Sequence, residues 1–298
     1  MPVLCGNPKS DFGVTAYTDR MSYQAAKARV VRALTSDHHI RFAALDASPL
    51  WDGVRRGHPQ LEAGACAALV ELLAAALLLQ SRTFFSERLQ LLLKTAGRAK
   101  SVVADAWPDG GVRGMLDPGP ESGPWLQPPG LLQVMRSNPA GQPYVGKLDM
   151  VDGPLQAQIE AYLQQSEQVQ ASMTLWCDPG SGESGGLLVE PMPGCPPERL
   201  VTLVEALEGL EVVPFWERNP GFLAAWINQG EGAEILASAD TQYRCRCGRE
   251  ALVATLAGFG QDRIEELFQA GSPMEVRCDY CGKVFAIGRG DLLGGGPA

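Results

Sequence analysis

The sequence predicts an α+β fold in three parts: an N-terminal domain of largely antiparallel sheets with helices, a helical linker and a small C-terminal four-cysteine domain. Short strand-like runs alternate with turn signals through residues 22–193. The strand pattern then stops, and four closely spaced cysteines lie beyond residue 243. With 298 residues, of which 45% are hydrophobic and 20% charged, the chain is long enough for one large core and a small second domain.

Eight aliphatic runs predict the strands of the N-terminal part. They cover residues 28–34, 40–45, 89–94, 99–106, 112–116, 130–135, 173–176 and 187–189. Residues that tolerate a positive φ predict hairpin turns at 108–111 and 178–182. Residues 61–80 and 154–166 predict helices. The first is strongly apolar, is interrupted by Glu71 and is short for a bilayer span, so we expect a core helix.

The middle of the chain predicts one amphipathic helix and no strand. Residues 198–211 place four apolar side chains on one helical face, which needs a partner surface: Leu200, Leu203, Val204 and Leu207. Between residues 196 and 244 there are eight acidic and three basic residues, a net charge of −5. Such a segment buries little apolar area for its ordering cost, so we expect it to dock marginally. A connector that simply packs against the fold is the alternative.

Two close pairs of cysteines dominate the C-terminal part. They are Cys245 with Cys247, and Cys278 with Cys281. Two such pairs bridged by a short helical stretch are typical of four thiolates around one tetrahedral metal ion, and we expect one Zn²⁺ per chain in the reduced protein. Gly248 and Gly282 follow the pairs, where glycine lets backbone amides fold back toward metal-bound sulfur. Helices are expected at 249–257 and 261–270, and a strand pair around the second cysteine pair.

The spacing of the first pair suggests redox chemistry. A single residue separates Cys245 from Cys247, whereas most structural zinc sites space their ligands by two to four. Without zinc these two sulfurs could close a strained and easily reduced disulfide. Peroxide and hypochlorous acid attack thiolates, which are the form that zinc holds. A purely structural zinc ribbon is the alternative that spacing alone leaves open.

The charge pattern argues against nucleic acid as the main partner, since the chain carries a net charge of −9. Five basic residues nevertheless lie near the cysteines. They are Arg244, Arg246, Arg249, Arg277 and Lys283. Four thiolates and one zinc ion carry two negative charges, and these cations are better explained as offsetting that charge than as a phosphate-binding patch.

The remaining cysteines show no paired spacing. Cys66 lies in the apolar helix and is expected to be a small buried side chain, whereas Cys5, Cys177 and Cys195 are expected to be incidental thiols. No apolar run follows a basic start, so we expect no secretory signal, no membrane partner and a cytoplasmic location. Persistent structural disulfides are rare in that compartment, which favours metal-binding or redox-sensing cysteines.

Two motif-like stretches do not predict an enzyme. Residues 141–147 approach a phosphate-binding loop, but Leu148 occupies the magnesium-binding position, and the stretch suits the start of a strand better. Residues 182–186 fit Gly-x-Ser-x-Gly, whose triad histidine should come later in the sequence. All the histidines come earlier: His38 and His39, expected in a solvent-facing turn, and His58. We therefore expect no catalytic residues and no nucleotide.

Four stretches carry a family resemblance. They are residues 243–292 with the cysteines, Asp109-Gly-Gly-Val-Arg-Gly114, Tyr162 with Ser166-Glu167-Gln168, and Gly185-Gly186-Leu187-Leu188 followed by Pro193. Their order and spacing together resemble the 33-kDa heat-shock protein family, the redox-regulated holdase chaperones. Tyr243, Gly248 and Glu190 depart from the residues usual in that family. Residues 214–220 interrupt a linker that is typically rich in helix.

The resemblance implies an ATP-independent holdase that prevents aggregation of unfolding proteins under oxidative stress. In that family the reduced, zinc-bound form is inactive. Carried over by position, oxidation would pair Cys245 with Cys247 and Cys278 with Cys281, release zinc and unfold the C-terminal domain and linker. Unfolded clients would be the partners, and the oxidised protein is expected to be a homodimer.

The expected division is a chaperone domain over residues 1–195, a metastable linker over 196–242 and a zinc-binding sensor over 243–298. A catalytic role in thiol exchange is disfavoured, because all four cysteines are expected to bind the metal. The main competing hypothesis is a constitutive zinc-ribbon adaptor or nucleic-acid-binding protein, in which the metal serves structure alone. Salt separates the two: nucleic-acid binding should weaken steeply with ionic strength, and client capture should not.

Overall fold

The computed structural model describes residues 28–82, 87–120, 122–137, 141–258, 264–266, 268 and 273–293. It confirms the predicted α+β class. The strands are β1 Ala28–Thr35, β2 Ile40–Asp46, β3 Arg88–Lys94, β4 Ala99–Ala106, β5 Gly111–Pro118, β6 Leu131–Ser137, β7 Tyr144–Asp149, β8 Ser172–Cys177, β9 Ser184–Pro191, β10 Ala233–Tyr243, β11 Met274–Arg277 and β12 Val284–Ile287. The helices are α1 Ser48–Gly57, α2 Ala63–Ser81, α3 Leu155–Ser166, α4 Pro197–Gly209, α5 Pro220–Ile227, α6 Arg249–Ala257 and α7 Arg289–Leu293.

One sheet of ten strands organises the molecule, in the order β7-β6-β3-β4-β5-β10-β1-β2-β9-β8. Its described strand pairs are antiparallel except β10 with β5, which is parallel. All eight predicted strands are present. Residues 141–147, predicted to suit the start of a strand, lead into β7. The two predicted hairpin turns join β4 to β5 and β8 to β9. Strands β11 and β12 form a separate hairpin, as expected around the second cysteine pair.

Helix α2 forms the centre of the main core. Its side chains pack against one face of the sheet, where β2, β3, β4 and β6 contribute alternate residues. By length and composition α2 is the one described helix that could cross a membrane, but 78% of it is buried inside the fold. This confirms the predicted core helix. Cys66 is buried within it, also as predicted.

Helix α1 was not predicted. Its ten residues include four charged or hydroxyl side chains, and its buried contacts are limited to one stripe through Leu50 and Val54 with Gly53 and Gly57. A stripe spaced by three and four residues in so short a segment gives a weak helical signal. The two glycines bring α1 close to Tyr243, so this helix positions the end of β10.

Glu71 is the acidic residue that interrupts α2, and burial raises its pKa from 4.5 to about 7. The folded protein therefore binds more protons than the unfolded chain between these values. We expect the free energy of unfolding to fall by about 2 to 3 kcal/mol as the pH rises from about 4.5 to about 7. Urea unfolding at pH 5 and pH 8 measures this slope. Glu71→Gln should flatten it, and Glu205→Gln, an exposed change on α4, should leave it unaltered.

The linker helices cover the other face of the sheet. Leu203 of α4 and Leu223 and Ile227 of α5 are buried there. The sheet residues beneath them are Ala33, Ile40, Phe42, Ala44, Trp176, Leu187 and Val189. The amphipathic helix predicted over 198–211 is thus confirmed as α4 with a 3-10 turn at Leu210–Val212. Its apolar face has a partner surface through Leu203, but Val204, predicted on the same face, is 52% exposed.

The prediction that the segment from residue 196 to about residue 241 contains no strand was wrong. Strand β10 covers eleven residues and lies between β1 and β5. Its side chains show no alternation of buried and exposed positions, and Thr241 is the one that is fully buried. Without alternation a sequence pattern cannot reveal a strand. The sheet accepts β10 through backbone pairing with β1.

Candidate metal centre

The four predicted cysteines come together in space. Cys245 and Cys247 follow β10 directly, and Cys278 and Cys281 lie in the turn between β11 and β12. Their four Sγ atoms all lie within 4.8 Å of one another, with 3.7 Å between Cys245 and Cys278 and 3.4 Å between Cys247 and Cys281. Zinc–sulfur bonds of about 2.3 Å in a tetrahedron place sulfurs about 3.8 Å apart. The donor set and its spacing therefore fit one tetrahedral metal ion.

The second pair sits in a tight turn. The backbone N–H of Gly282 donates to the carbonyl oxygen of Cys278 at 2.8 Å, and that of Cys278 donates to Lys283 at 2.9 Å. Gly282 has φ +68°, and a Cβ atom there would lie 2.9 Å from the Gly57 oxygen. The predicted need for glycine is confirmed at this position. It is wrong for Gly248, whose backbone is extended and whose surroundings leave room for a side chain.

Cys245 differs electrostatically from its neighbour Cys247, whose pKa burial raises. Burial alone would raise the pKa of Cys245, but hydrogen bonds from the backbone N–H and thiol of Cys247 lower it. Arg113 adds a cation, since its Nη1 lies 3.9 Å from the Cys245 sulfur. Thiolate character at Cys245 is therefore favoured by its neighbours, which suits both metal binding and attack on an oxidant.

The cation in contact with a cluster sulfur, Arg113, is not one of the five predicted. Arg113 belongs to the hairpin of β4 and β5, not to the cysteine region. Of the five predicted cations, Arg244 and Arg246 both pair with Asp109, and Arg249 pairs with Asp291. Arg277 donates to the Gly282 oxygen, and Lys283 lies over the Phe285 ring. The signal that could have identified Arg113 is the Asp-Gly-x-Val-Arg-Gly motif that contains it.

Arg113 also joins the cysteine turn to the sheet. Its Nε donates to the carboxylate of Asp105 at 3.1 Å, and its guanidinium lies 3.9 Å from the ring centre of Tyr280. Tyr280 stands between the candidate ligands Cys278 and Cys281. A side chain inside the candidate metal loop is therefore stacked on an arginine that a fully buried carboxylate of β4 holds in place.

A second contact holds the main chain of the same loop. Tyr243, the last residue of β10, donates a hydrogen bond from Oη to the carbonyl oxygen of Tyr280 and lies 3.1 Å from that of Gly114. His58 Nε2 is 3.0 Å from both Tyr243 Oη and the Gly114 oxygen. Burial lowers the pKa of His58 and raises that of Tyr243, so both side chains are neutral at pH 7. Nothing in the sequence singled out His58.

We expect loss of this stacking to loosen the metal loop. In Tyr280→Ala the Arg113 guanidinium loses its 3.9 Å contact with the Tyr280 ring and keeps only the longer contact with Trp107, while the four thiols remain. A buried cation–π contact is worth about 1 to 2 kcal/mol, so transfer of zinc to a chromogenic chelator should accelerate roughly tenfold. Tyr144→Ala, which removes an exposed ring from β7, is the matched control. An unchanged transfer rate would show that the stacking does not hold the loop.

Little apolar core supports the cysteine region. Four of its described residues form a buried cluster: Ile264, Phe285, Ile287 and Leu292. Helix α6 is present as predicted and contributes partly buried side chains. Of the helix predicted over 261–270, residues 264–266 are helical and most others lie outside the described residues. A bound metal would therefore supply much of the stability here.

The remaining described cysteines and histidines lie away from the candidate metal centre, apart from His58. Cys177 and Cys195 are half-buried and lie apart from the cluster, and burial raises the pKa of Cys177 to about 12. Cys5 lies outside the described residues. His38 is exposed in the turn between β1 and β2, as expected, and His39 is partly exposed. Residues 182–186 belong to the hairpin of β8 and β9, not to a strand-turn-helix nucleophile elbow.

Comparisons with known proteins agree with this architecture. The family model described as Hsp33 protein matches residues 28–288. The 33 kDa chaperonins of Deinococcus radiodurans and Acaryochloris marina are 28% and 29% identical, over 87% and 89% of this chain and 94% and 95% of their own lengths. The crystal structure of a 33 kDa chaperonin from Thermotoga maritima superposes with a TM-score of 0.78 at 21% identity, over 90% of this chain and 97% of that one. With a family model that spans most of its length, this chain belongs to the Hsp33 protein family.

Proposed function

We propose that this protein is a redox-regulated, ATP-independent holdase chaperone that prevents aggregation of unfolding proteins under oxidative stress. Membership of the Hsp33 family supports the chaperone function itself. One observation carries the redox part of the proposal: a cluster of four thiols lies directly after β10 and is docked on the sheet through Tyr280. A chemical change at the sulfurs can therefore reach the linker over a few residues.

In the reduced state Cys245, Cys247, Cys278 and Cys281 would hold one Zn²⁺, which would cross-link a region with little core of its own. Oxidation would join Cys245 to Cys247 and Cys278 to Cys281. Each disulfide removes two electrons from a thiolate pair, and hypochlorous acid accepts them with one proton to give chloride and water. Disulfide sulfurs no longer bind zinc, so the cross-link would be lost.

The linker transmits this loss in the proposal. Helices α4 and α5 cover an apolar sheet face with few buried side chains of their own, and the segment carries a net charge of −5. Its docked state is held in part by the cysteine region that follows it. Oxidation would shift the population toward an undocked linker and expose apolar surface to clients. The division into residues 1–195, 196–242 and 243–298 belongs to this proposal.

Further parts of the proposal concern partners and place. Unfolded proteins are the proposed clients, a homodimer is the proposed oxidised form, and the cytoplasm is the proposed compartment. Neither nucleotide nor nucleic acid is proposed as a partner, and no catalytic residue is proposed.

The test is suppression of aggregation of chemically unfolded citrate synthase, with zinc release followed in the same samples. Reduced protein is compared with protein treated with hypochlorous acid, and disulfides are mapped by mass spectrometry. Activity that appears only with zinc loss and disappears on reduction supports the proposal. Zinc retained under oxidation, or lost without holdase activity, would favour a constitutive zinc-ribbon protein, whose nucleic-acid binding should weaken steeply with salt.

A further inference from the structure

Strand β10 occupies a gap between two halves of the large sheet. It pairs antiparallel with β1 over eight residues, from Ala233 opposite Thr35 to Thr241 opposite Ala28. Its pairing with β5 is limited to two residue pairs at its C-terminal end. The strand thus joins a four-stranded part of the sheet, β1-β2-β9-β8, to a five-stranded part, β5-β4-β3-β6-β7. If β10 left, the edge of β1 that it covers would lose its partner.

The side chains of β10 contribute little to holding it there. Seven of its eleven residues are exposed, among them Ile235 and Leu236, and Thr241 is the one fully buried residue. The first eight residues, 233–240, contain no buried side chain. The attraction between β10 and β1 is therefore mainly backbone hydrogen bonding, which does not depend on the residue type.

The contacts that do anchor β10 lie at its C-terminal end, beside the candidate metal centre. Tyr243 is bonded to the carbonyl of Tyr280, and the next residues, Arg244 and Arg246, pair with Asp109 of the β4–β5 turn. Cys245 lies two residues beyond the strand. Loss of the cysteine cluster would remove the contact with Tyr280 and so weaken the anchoring of the strand at the end where its side chains matter.

We propose that the edge of β1 vacated by β10 is a binding site for an extended segment of an unfolded client, which would add to the sheet antiparallel to β1. This inference rests on the proposed redox-regulated function and goes beyond it by naming the site and the form in which the client binds. Unpaired strand edges recruit extended polypeptide. In the reduced protein β10 occupies the site and blocks it.

The openness of this edge of β1 favours an unfolded client over a specific partner. The edge holds an extended segment of eight residues with both faces largely open, so it imposes almost no side-chain selection. A holdase must accept many sequences, and main-chain pairing is the form of recognition that all unfolded chains share. A second copy of this chain has its own β10, whose side chains offer no better fit than any other extended segment.

Hydrogen exchange of the oxidised protein tests the site. In an antiparallel sheet about half of the β1 amides point to each neighbour, so oxidation should remove protection from about half of residues 28–35, and the half that faces β2 should stay protected. Adding chemically unfolded citrate synthase should restore the lost protection. If β1 stays fully protected after oxidation, or stays half exposed while client is bound, the proposal is overturned.

Photocrosslinking identifies the occupant. A benzophenone amino acid replaces Arg29 on β1, which pairs with Asp240 of β10, and in the matched control it replaces Lys100 on β4, which pairs with Asp117. We expect client adducts from position 29 in the oxidised protein but not in the reduced protein, and none from position 100 in either state. Adducts between two copies at position 29 would assign the site to a second chain and overturn the proposal. Client capture without adducts would overturn this site and leave the proposed function standing, whereas no capture at all would overturn both.

Discussion

Replacing Cys278 by serine is expected to unfold the cysteine region while the sheet stays folded. The region has four described residues in its buried cluster, and serine oxygen is a poor replacement for a thiolate ligand. Structural zinc contributes about 10 to 16 kcal/mol of apparent binding free energy in small domains, far more than so small a core can replace. Amides of β11, β12 and α6 should lose protection in hydrogen exchange, and the zinc content should fall to near zero.

The matched control is Cys195→Ser. Cys195 is a half-buried thiol outside the cluster, so zinc content and amide protection should match those of the unaltered protein. Helix α2 and strands β3 and β4 serve as an internal reference, because the buried residues of their core all precede the cysteine region. If Cys278→Ser kept the protection of residues 274–287, the dependence of this region on a four-thiol metal site would be wrong.

Replacing Asp105 by alanine is expected to destabilise the sheet itself. Asp105 is fully buried and accepts hydrogen bonds from Arg88, Gln90 and Arg113 at 3.0, 2.9 and 3.1 Å. The substitution leaves two guanidinium groups beside Trp107 without their carboxylate. Removing one partner of a buried charge pair costs about 3 to 5 kcal/mol. Urea unfolding followed by tryptophan fluorescence should show the midpoint fall accordingly.

Asp117→Ala is the control for this prediction. Asp117 lies on β5 and pairs with Lys100 at 3.8 Å, but the two side chains are 48% and 73% exposed. Removing an exposed pair of this kind changes stability by less than about 1 kcal/mol. A second measurement distinguishes general destabilisation from loss of docking: in Asp105→Ala the guanidinium of Arg113 is no longer held under Tyr280, so zinc transfer to a chelator should accelerate in native buffer. Equal effects of the two substitutions on stability would contradict the prediction.

The parts of the fold that could be predicted share one property, a periodic exchange of buried and exposed side chains. Strand β3 alternates along its whole length, and α4 keeps Leu203 toward the sheet. Strand β10 has no such period because few of its side chains are buried, so its place in the sheet follows from backbone pairing with a strand about 200 residues earlier. Helix α1 does have a helical period, but the helix is too short for that period to stand out in the sequence.

The candidate site divides in the same way. The four cysteines were predicted as a set because metal ligation imposes short spacings that the chain itself displays. The groups around them come from distant parts of the chain: His58 after α1, Asp105 on β4, Arg113 on β5 and Tyr243 on β10. The local sequence around the cysteines does not indicate that these residues lie near them in the fold. Arg244 and Arg246, which are adjacent to the cysteines in sequence, form ion pairs with the carboxylate of Asp109 instead.

The sequence by itself determined the α+β class, eight strands of the large sheet, the C-terminal hairpin, the apolar core helix and the four-thiol cluster, because each is specified by neighbours along the chain. Tertiary structure alone decided that β10 fills the gap beside β1, that Arg113 approaches the Cys245 sulfur, and that Tyr280 docks the cysteine turn on the sheet. These depend on which surfaces meet once the core has formed. Backbone pairing and ion pairs between distant segments leave no periodic trace in the residues that make them.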